Sequence, residues 1–117
     1  ITKIDEHNND RRRIASAYDK QLKSDTIVKT ADWCENVYNQ YTVRVKDRST
    51  VQNKLKDAGI QTGVMWPLGC HSQPAYNSKD VLKNTEKVTE TILSMPCWPL
   101  MTDDEIGHVI NKFNSIV

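Results

Sequence analysis

Hydrophobic positions along the chain follow two different periods. Ile14, Tyr18 and Leu22 recur every four residues, with Ala15 and Ala17 beside them. This predicts an amphipathic helix over residues 5–23, with Arg11, Arg12, Asp19 and Lys20 on its polar face. A short strand is expected at 26–29. Over 37–46 the period becomes two: Val37, Asn39, Tyr41, Val43 and Val45 alternate with Tyr38, Gln40, Thr42, Arg44 and Lys46. That is the pattern of a half-buried strand. Ser49-x-x-Gln52 has the form of a capping box and opens a short helix that buries Val51, Leu55 and Ala58. Gly59 stands where a helix C-terminus needs left-handed backbone. Residues 60–65 read as a second strand, and 67–76 as a loop rich in Pro, Gly and Ser. A helix is expected over 85–93 with Val88 and Ile92 inward, then a third short strand at 93–95. Thr102-x-x-Glu105 is a second capping box, and Ile106, Val109, Ile110 and Phe113 form one face of the helix it opens. The elements sum to an α+β fold: a small, mostly antiparallel sheet of about three strands, with helices packed on one face.

Length and charge narrow the classes. The 117 residues suit one domain, 1–117. Sixteen Lys+Arg against 15 Asp+Glu leave a net charge of +1, without the basic excess of a dedicated nucleic-acid or polybasic membrane module. The longest apolar stretch, 63–70, is far shorter than the roughly 18 residues of a membrane span, and no signal peptide is visible. Cys34, Cys70 and Cys97 lie far apart and are odd in number, so they read as reduced thiols of a cytoplasmic protein. The first residue is Ile1, not Met, as expected of a processed product or a fragment. No linker, low-complexity tract or repeat divides the chain.

Candidate chemistry concentrates in 59–76, where a strand runs into a loop carrying Trp66, His71 and Tyr76. Loops on a rigid scaffold commonly carry binding residues. Trp66 and Tyr76 are suited to stacking on a ring, and His71 to hydrogen bonding or proton transfer. The plainer alternative places both aromatics in the core and leaves His71 on the surface or in a structural hydrogen bond. Cys34, Cys70, His71 and Cys97 are zinc-ligand types, but they lack chelating spacing. A Cys70 thiol nucleophile lacks a positioned base and an orienting acid. Arg11-Arg12-Arg13 spreads around a helix beside Asp5, Glu6 and Asp10, and reads as a solvated or salt-bridged face. The glycine-aromatic strand motif of an RNA-recognition sheet is missing. His7 and His108 read as ordinary surface or helix residues.

The same stretch resembles the C-terminal domain of the DegT/StrS family of pyridoxal-phosphate (PLP)-dependent nucleotide-sugar aminotransferases. That family carries Gly-Ile-x-Thr, then Tyr-Pro, then Pro-Leu-His-x-Gln-Pro-x-Tyr. Here these are Gly59-Ile60-Gln61-Thr62, Trp66-Pro67 and Gly69-Cys70-His71-Ser72-Gln73-Pro74-Ala75-Tyr76. Upstream, Tyr38, Tyr41 and Arg44 resemble its Tyr-x-x-Tyr-x-x-Arg strand, which the helix of Arg48 follows. Arg13-Ile14-Ala15 with Tyr18 and Leu22 resembles its first helix. Downstream, Thr85-Glu86-Lys87, Leu93-Ser94-Met95-Pro96 and Leu100-Met101-Thr102 with Glu105-Ile106 match Thr-Glu-Lys, Leu-Ser-Leu-Pro and Leu-Thr-x-x-Glu-Ile. The departures are Asn36 and Met65 where His is common, Trp66 for Tyr, and Gly69-Cys70 for Pro-Leu.

The resemblance implies an enzyme that moves an amino group, usually from L-glutamate, to a nucleotide-linked keto-sugar, with PLP as electron sink. In the family the Schiff-base lysine, the phosphate cup and the acid facing the pyridine nitrogen lie in a preceding large domain. No lysine here has a context resembling that site, so the chain is expected to hold no catalytic residue, cofactor or metal and to be inactive alone. Its partners would be that large domain, a second copy in a homodimer, and the nucleotide-sugar. By resemblance, Trp66, His71 and Tyr76 would face the substrate, with His71 as hydrogen-bond donor. Thr62, Gly63 and Met65 would shape the wall, and Gly63 would allow close backbone approach. An exposed apolar patch is expected where the large domain would dock. The alternative is a stand-alone, non-catalytic α+β binding module derived from such a domain.

Overall fold

A computed structural model describes residues 2–23, 25–76 and 78–117. Its elements run α1 (Ile4–Gln21), β1 (Tyr41–Arg44), α2 (Arg48–Asp57), a 3-10 turn (Cys70–Ser72), α3 (Lys83–Thr91), β2 (Ile92–Met95) and α4 (Asp103–Ile116). The four-residue period yields the first helix: Ile14, Ala15 and Tyr18 are fully buried and Leu22 nearly so. The alternation also holds, with Tyr41, Val43 and Val45 buried between half-exposed Thr42 and Arg44. The strand is shorter than the pattern, because residues 37–40 do not pair and Val37 is exposed.

β1 and β2 are antiparallel, with Tyr41 opposite Met95 and Arg44 opposite Ile92. The two further strands expected at 26–29 and 60–65 shrink to single bridges on either side. Ile27 bridges Val43, and Gly63 bridges Ser94 through reciprocal backbone bonds of 3.0 and 2.7 Å. β2 is buried along its whole length and sits centrally. The helix expected at 85–93 ends at Thr91, so Ile92 opens the strand instead. Val88 is exposed rather than inward, and α3 buries no residue.

Caps set the helix limits. The Ser49–Gln52 box does not form: α2 starts earlier, on Asp47, whose carboxylate accepts the Thr50 N–H. At its end the Gly59 N–H reaches the Lys56 carbonyl and the Ile60 N–H reaches that of Leu55, at 2.9 and 2.8 Å. This is a Schellman closure, and it requires the positive φ of 79° that Gly59 adopts. α4 carries the expected capping box between Thr102 and Glu105 and buries Ile106, Val109, Ile110 and Phe113. α4 packs on α1 and α2, and α2 on β2. Arg13 pins the start of α4 to α1 by donating to the Met101 carbonyl and the Asp103 carboxylate.

Candidate functional site

The loop after Gly63 leaves the sheet and exposes its large side chains. Trp66 and Tyr76 are 72% and 69% exposed, and Met65 and Leu68 are about half exposed. Neither aromatic is core, so the packing alternative does not describe them. Gly63 anchors the loop's first residue to β2, with its Cα facing the Ser94 side chain. Thr62 lies partly buried beside it. Its backbone carbonyl accepts from Gln52 Nε2 at 3.5 Å, while its buried hydroxyl oxygen has no partner.

His71 behaves differently from its neighbours. Its side chain is only 9% exposed. Nε2 lies 3.3 Å from Glu86 Oε1 on α3 and 3.1 Å from Ser72 Oγ. Nδ1 is buried without a partner. The ring lies over Gly69, where a Cβ would come within 2.7 Å of Cε1 and 2.8 Å of Nδ1. The imidazole is therefore held inside the chain, and the aromatics point out of it. In the sequence Glu86 stands out only as part of Thr-Glu-Lys. Its role is hidden there because 15 residues separate it from His71.

The rival chemistries find little support. Cys34 and Cys70 are exposed free thiols; Cys97 is half-buried, and burial pushes its thiol up to about 11. Among the described residues no group of three His, Cys, Asp or Glu side chains lies close enough to hold a metal ion. Arg12 pairs with Glu35 at 2.8 Å and Arg13 with Asp10 and Asp103, as a salt-bridged face requires. His108 Nε2 lies 3.1 Å from the Ala58 carbonyl. It lines a concavity of about 510 Å³ with Gln61, Pro96, Trp98 and Met101. Among the described residues no helix is long and apolar enough to cross a membrane.

A PLP aldehyde needs a lysine whose amine is desolvated enough to act as a nucleophile. All eleven lysines of this chain are exposed.

Comparison with known proteins agrees with the motifs. The aminotransferase of Pseudomonas aeruginosa that acts on UDP-2-acetamido-2-deoxy-3-oxo-D-glucuronate is 36% identical over 94 residues, covering 78% of this chain and 26% of that protein. The pleiotropic regulatory protein of Geobacillus stearothermophilus is 32% identical over 118 residues, covering 93% and 32%. The fold matches DesV of S. venezuelae, solved with a ketimine intermediate, at a TM-score of 0.91 and 25% identity, over 97% of this chain and 33% of that one. The chain thus spans about a third of the length of the relatives it matches. The sequence profile of the DegT/DnrJ/EryC1/StrS aminotransferases matches residues 1–114, and the chain belongs to that family.

Proposed function

We propose that this chain is the C-terminal, acceptor-side domain of a PLP-dependent nucleotide-sugar aminotransferase of the cytoplasm. It forms a single domain that works only with a large domain carrying the cofactor and the Schiff-base lysine. The intact enzyme is a homodimer. It converts L-glutamate and a keto-sugar nucleotide into 2-oxoglutarate and the amino-sugar nucleotide. PLP, when bound by the large domain, supplies the electron sink.

The observation that supports this reading best is the loop. Two aromatic side chains stand out of a well-packed domain on the segment that matches the family's motif. Such rings lose little conformational entropy on binding and offer both an apolar face and a polar edge. Trp66 and Tyr76 would stack on or flank the sugar nucleotide. Thr62, Gly63 and Met65 would form the adjoining wall; His71, expected as the hydrogen-bond donor to substrate, instead pairs within the chain with Glu86 and would act through the loop.

The test uses the full-length protein with L-glutamate and UDP- or dTDP-linked keto-sugars. Amination of one of them is expected, while the 117-residue chain alone gives no product. Trp66→Ala and Tyr76→Ala should raise the acceptor KM about tenfold each, the loss of one stacking contact. Turnover by the isolated chain would overturn the division of labour. Failure of the full-length protein on every keto-sugar nucleotide would overturn the activity.

A further inference from the structure

The 65–76 loop is tied down in an unusual way. Its backbone hydrogen bonds are local: Ser72 N–H to Gly69, Gln73 N–H to Cys70 and Tyr76 N–H to Gln73, at 3.0, 3.1 and 3.0 Å. Among the described residues, the one hydrogen bond that leaves this segment is His71 to Glu86. The same Glu86 oxygen accepts the Leu82 N–H at 3.1 Å, the N-cap of α3. A single carboxylate oxygen thus joins the loop to the start of a helix.

We propose that Glu86 is a positioning residue of the acceptor site, holding the His71 ring and so fixing the turn that carries Trp66 and Tyr76. The proposal rests on the reading of this loop as the acceptor wall. Glu86 Oε1 already accepts from the Leu82 N–H, so the carboxylate is the acceptor and the ring the donor. Nδ1 is shut against Gly69 with no partner, so the tautomer that satisfies the ring best carries its proton on Nε2 and donates to Glu86. In this arrangement neither ring nitrogen is open to a substrate, and His71 acts through the loop it anchors. Exposed side chains on a short loop bind tightly only when the loop is already ordered, because ordering it on binding subtracts from affinity.

The test is kinetic, in the full-length protein. Glu86→Ala should raise the acceptor KM about tenfold, the worth of one charge-assisted hydrogen bond, and leave the glutamate half-reaction unchanged. Glu86→Gln keeps an acceptor oxygen and should return KM to within about threefold of wild type. Gly69→Ala crowds the same ring from the other side and should show the same KM signature, which covers the case in which Glu86→Ala does not fold. A general loss of structure would instead depress both half-reactions alike. Trp66→Ala and Tyr76→Ala run beside them separate the two failures. If these raise KM while Glu86→Ala and Gly69→Ala do not, the acceptor wall stands and the positioning role falls. If none of the four moves KM, the loop is not the acceptor wall and both fall.

Discussion

Gly69→Ala tests the packing around His71 by itself, without substrate. Gly69 has φ −65° and ψ 153°, ordinary extended backbone that alanine adopts without strain. Any penalty is therefore steric. The new Cβ would lie 2.7 Å from His71 Cε1 and 2.8 Å from both Nδ1 and Thr85 Cγ2. Carbon atoms settle near 3.5 Å or beyond, so the ring and the methyl must each retreat by roughly 0.7 Å. The ring is held by Glu86 and the methyl belongs to a stiff β-branched side chain in α3. Overpacking of this kind costs about 1–3 kcal/mol. Against it, alanine narrows the unfolded ensemble, worth about 0.4–1 kcal/mol in the stabilising direction. The expected net loss is about 1 kcal/mol. Gly107→Ala is the matched control: it lies inside α4, and a Cβ added there would meet nothing within 4 Å. That change should stabilise by about 0.5–1 kcal/mol, the helix-propensity gain. Urea unfolding of both variants reads the difference, with the midpoint moving and the slope constant. If Gly69→Ala is as stable as wild type or more so, the ring does not sit where the structure puts it.

Phe113→Ala empties a fully buried site in α4 and should cost about 3–5 kcal/mol by chemical denaturation; a loss under about 1 kcal/mol would contradict a packed core there. Burial raises the Cys97 thiol to about 11, so alkylation at about pH 8 should label Cys34 and Cys70 and spare Cys97 until denaturant is added, by peptide mapping. Glu105 accepts from the N–H and the hydroxyl of Thr102, which hold its carboxyl below the usual 4.5. A folded value below the unfolded one gives stability that is complete above pH 4.5 and lost as pH falls through the lower value. Glu105→Gln should therefore flatten the acid limb of the stability profile, and an unaltered limb would count against the cap.

Residues that act through nearest neighbours in the chain were readable. The stripe Ile14-Tyr18-Leu22, the box Thr102–Glu105 and the turn at Gly59 each rest on spacings of three to five positions, where helical geometry dictates who meets whom. Residues 26–29 and 60–65 misled because β propensity says that a segment can pair, not how far its partner runs alongside. β1 and β2 are each four residues long, and their neighbours meet them at one position only. Val88 misled for a similar reason. Its helix is otherwise polar and rides on the surface, while the buried stripe begins one residue past its end, at Ile92. Ser49 lost the cap to Asp47, whose charged oxygen is the stronger acceptor at a helix N-terminus.

The departures from the family pattern gain meaning from where they fall. Met65, Trp66 and Cys70 are exposed, so changing them alters what the loop presents and costs the core little. Gly69 is the buried member of that group, and it faces His71 and Thr85. A proline there, as the family pattern has, would bring a Cβ into the space that the imidazole now fills. Gly69 and the seated His71 therefore depend on each other, and the route of the loop from Trp66 to Tyr76 depends on both. Substituting the exposed residues alone would then change contacts but not the loop's course. Restoring proline at 69 should displace the ring from Glu86 and move both aromatics together. If the loop forms the acceptor wall proposed above, differences in acceptor choice between this chain and its relatives should follow position 69 as well as position 66, of which only Trp66 is exposed.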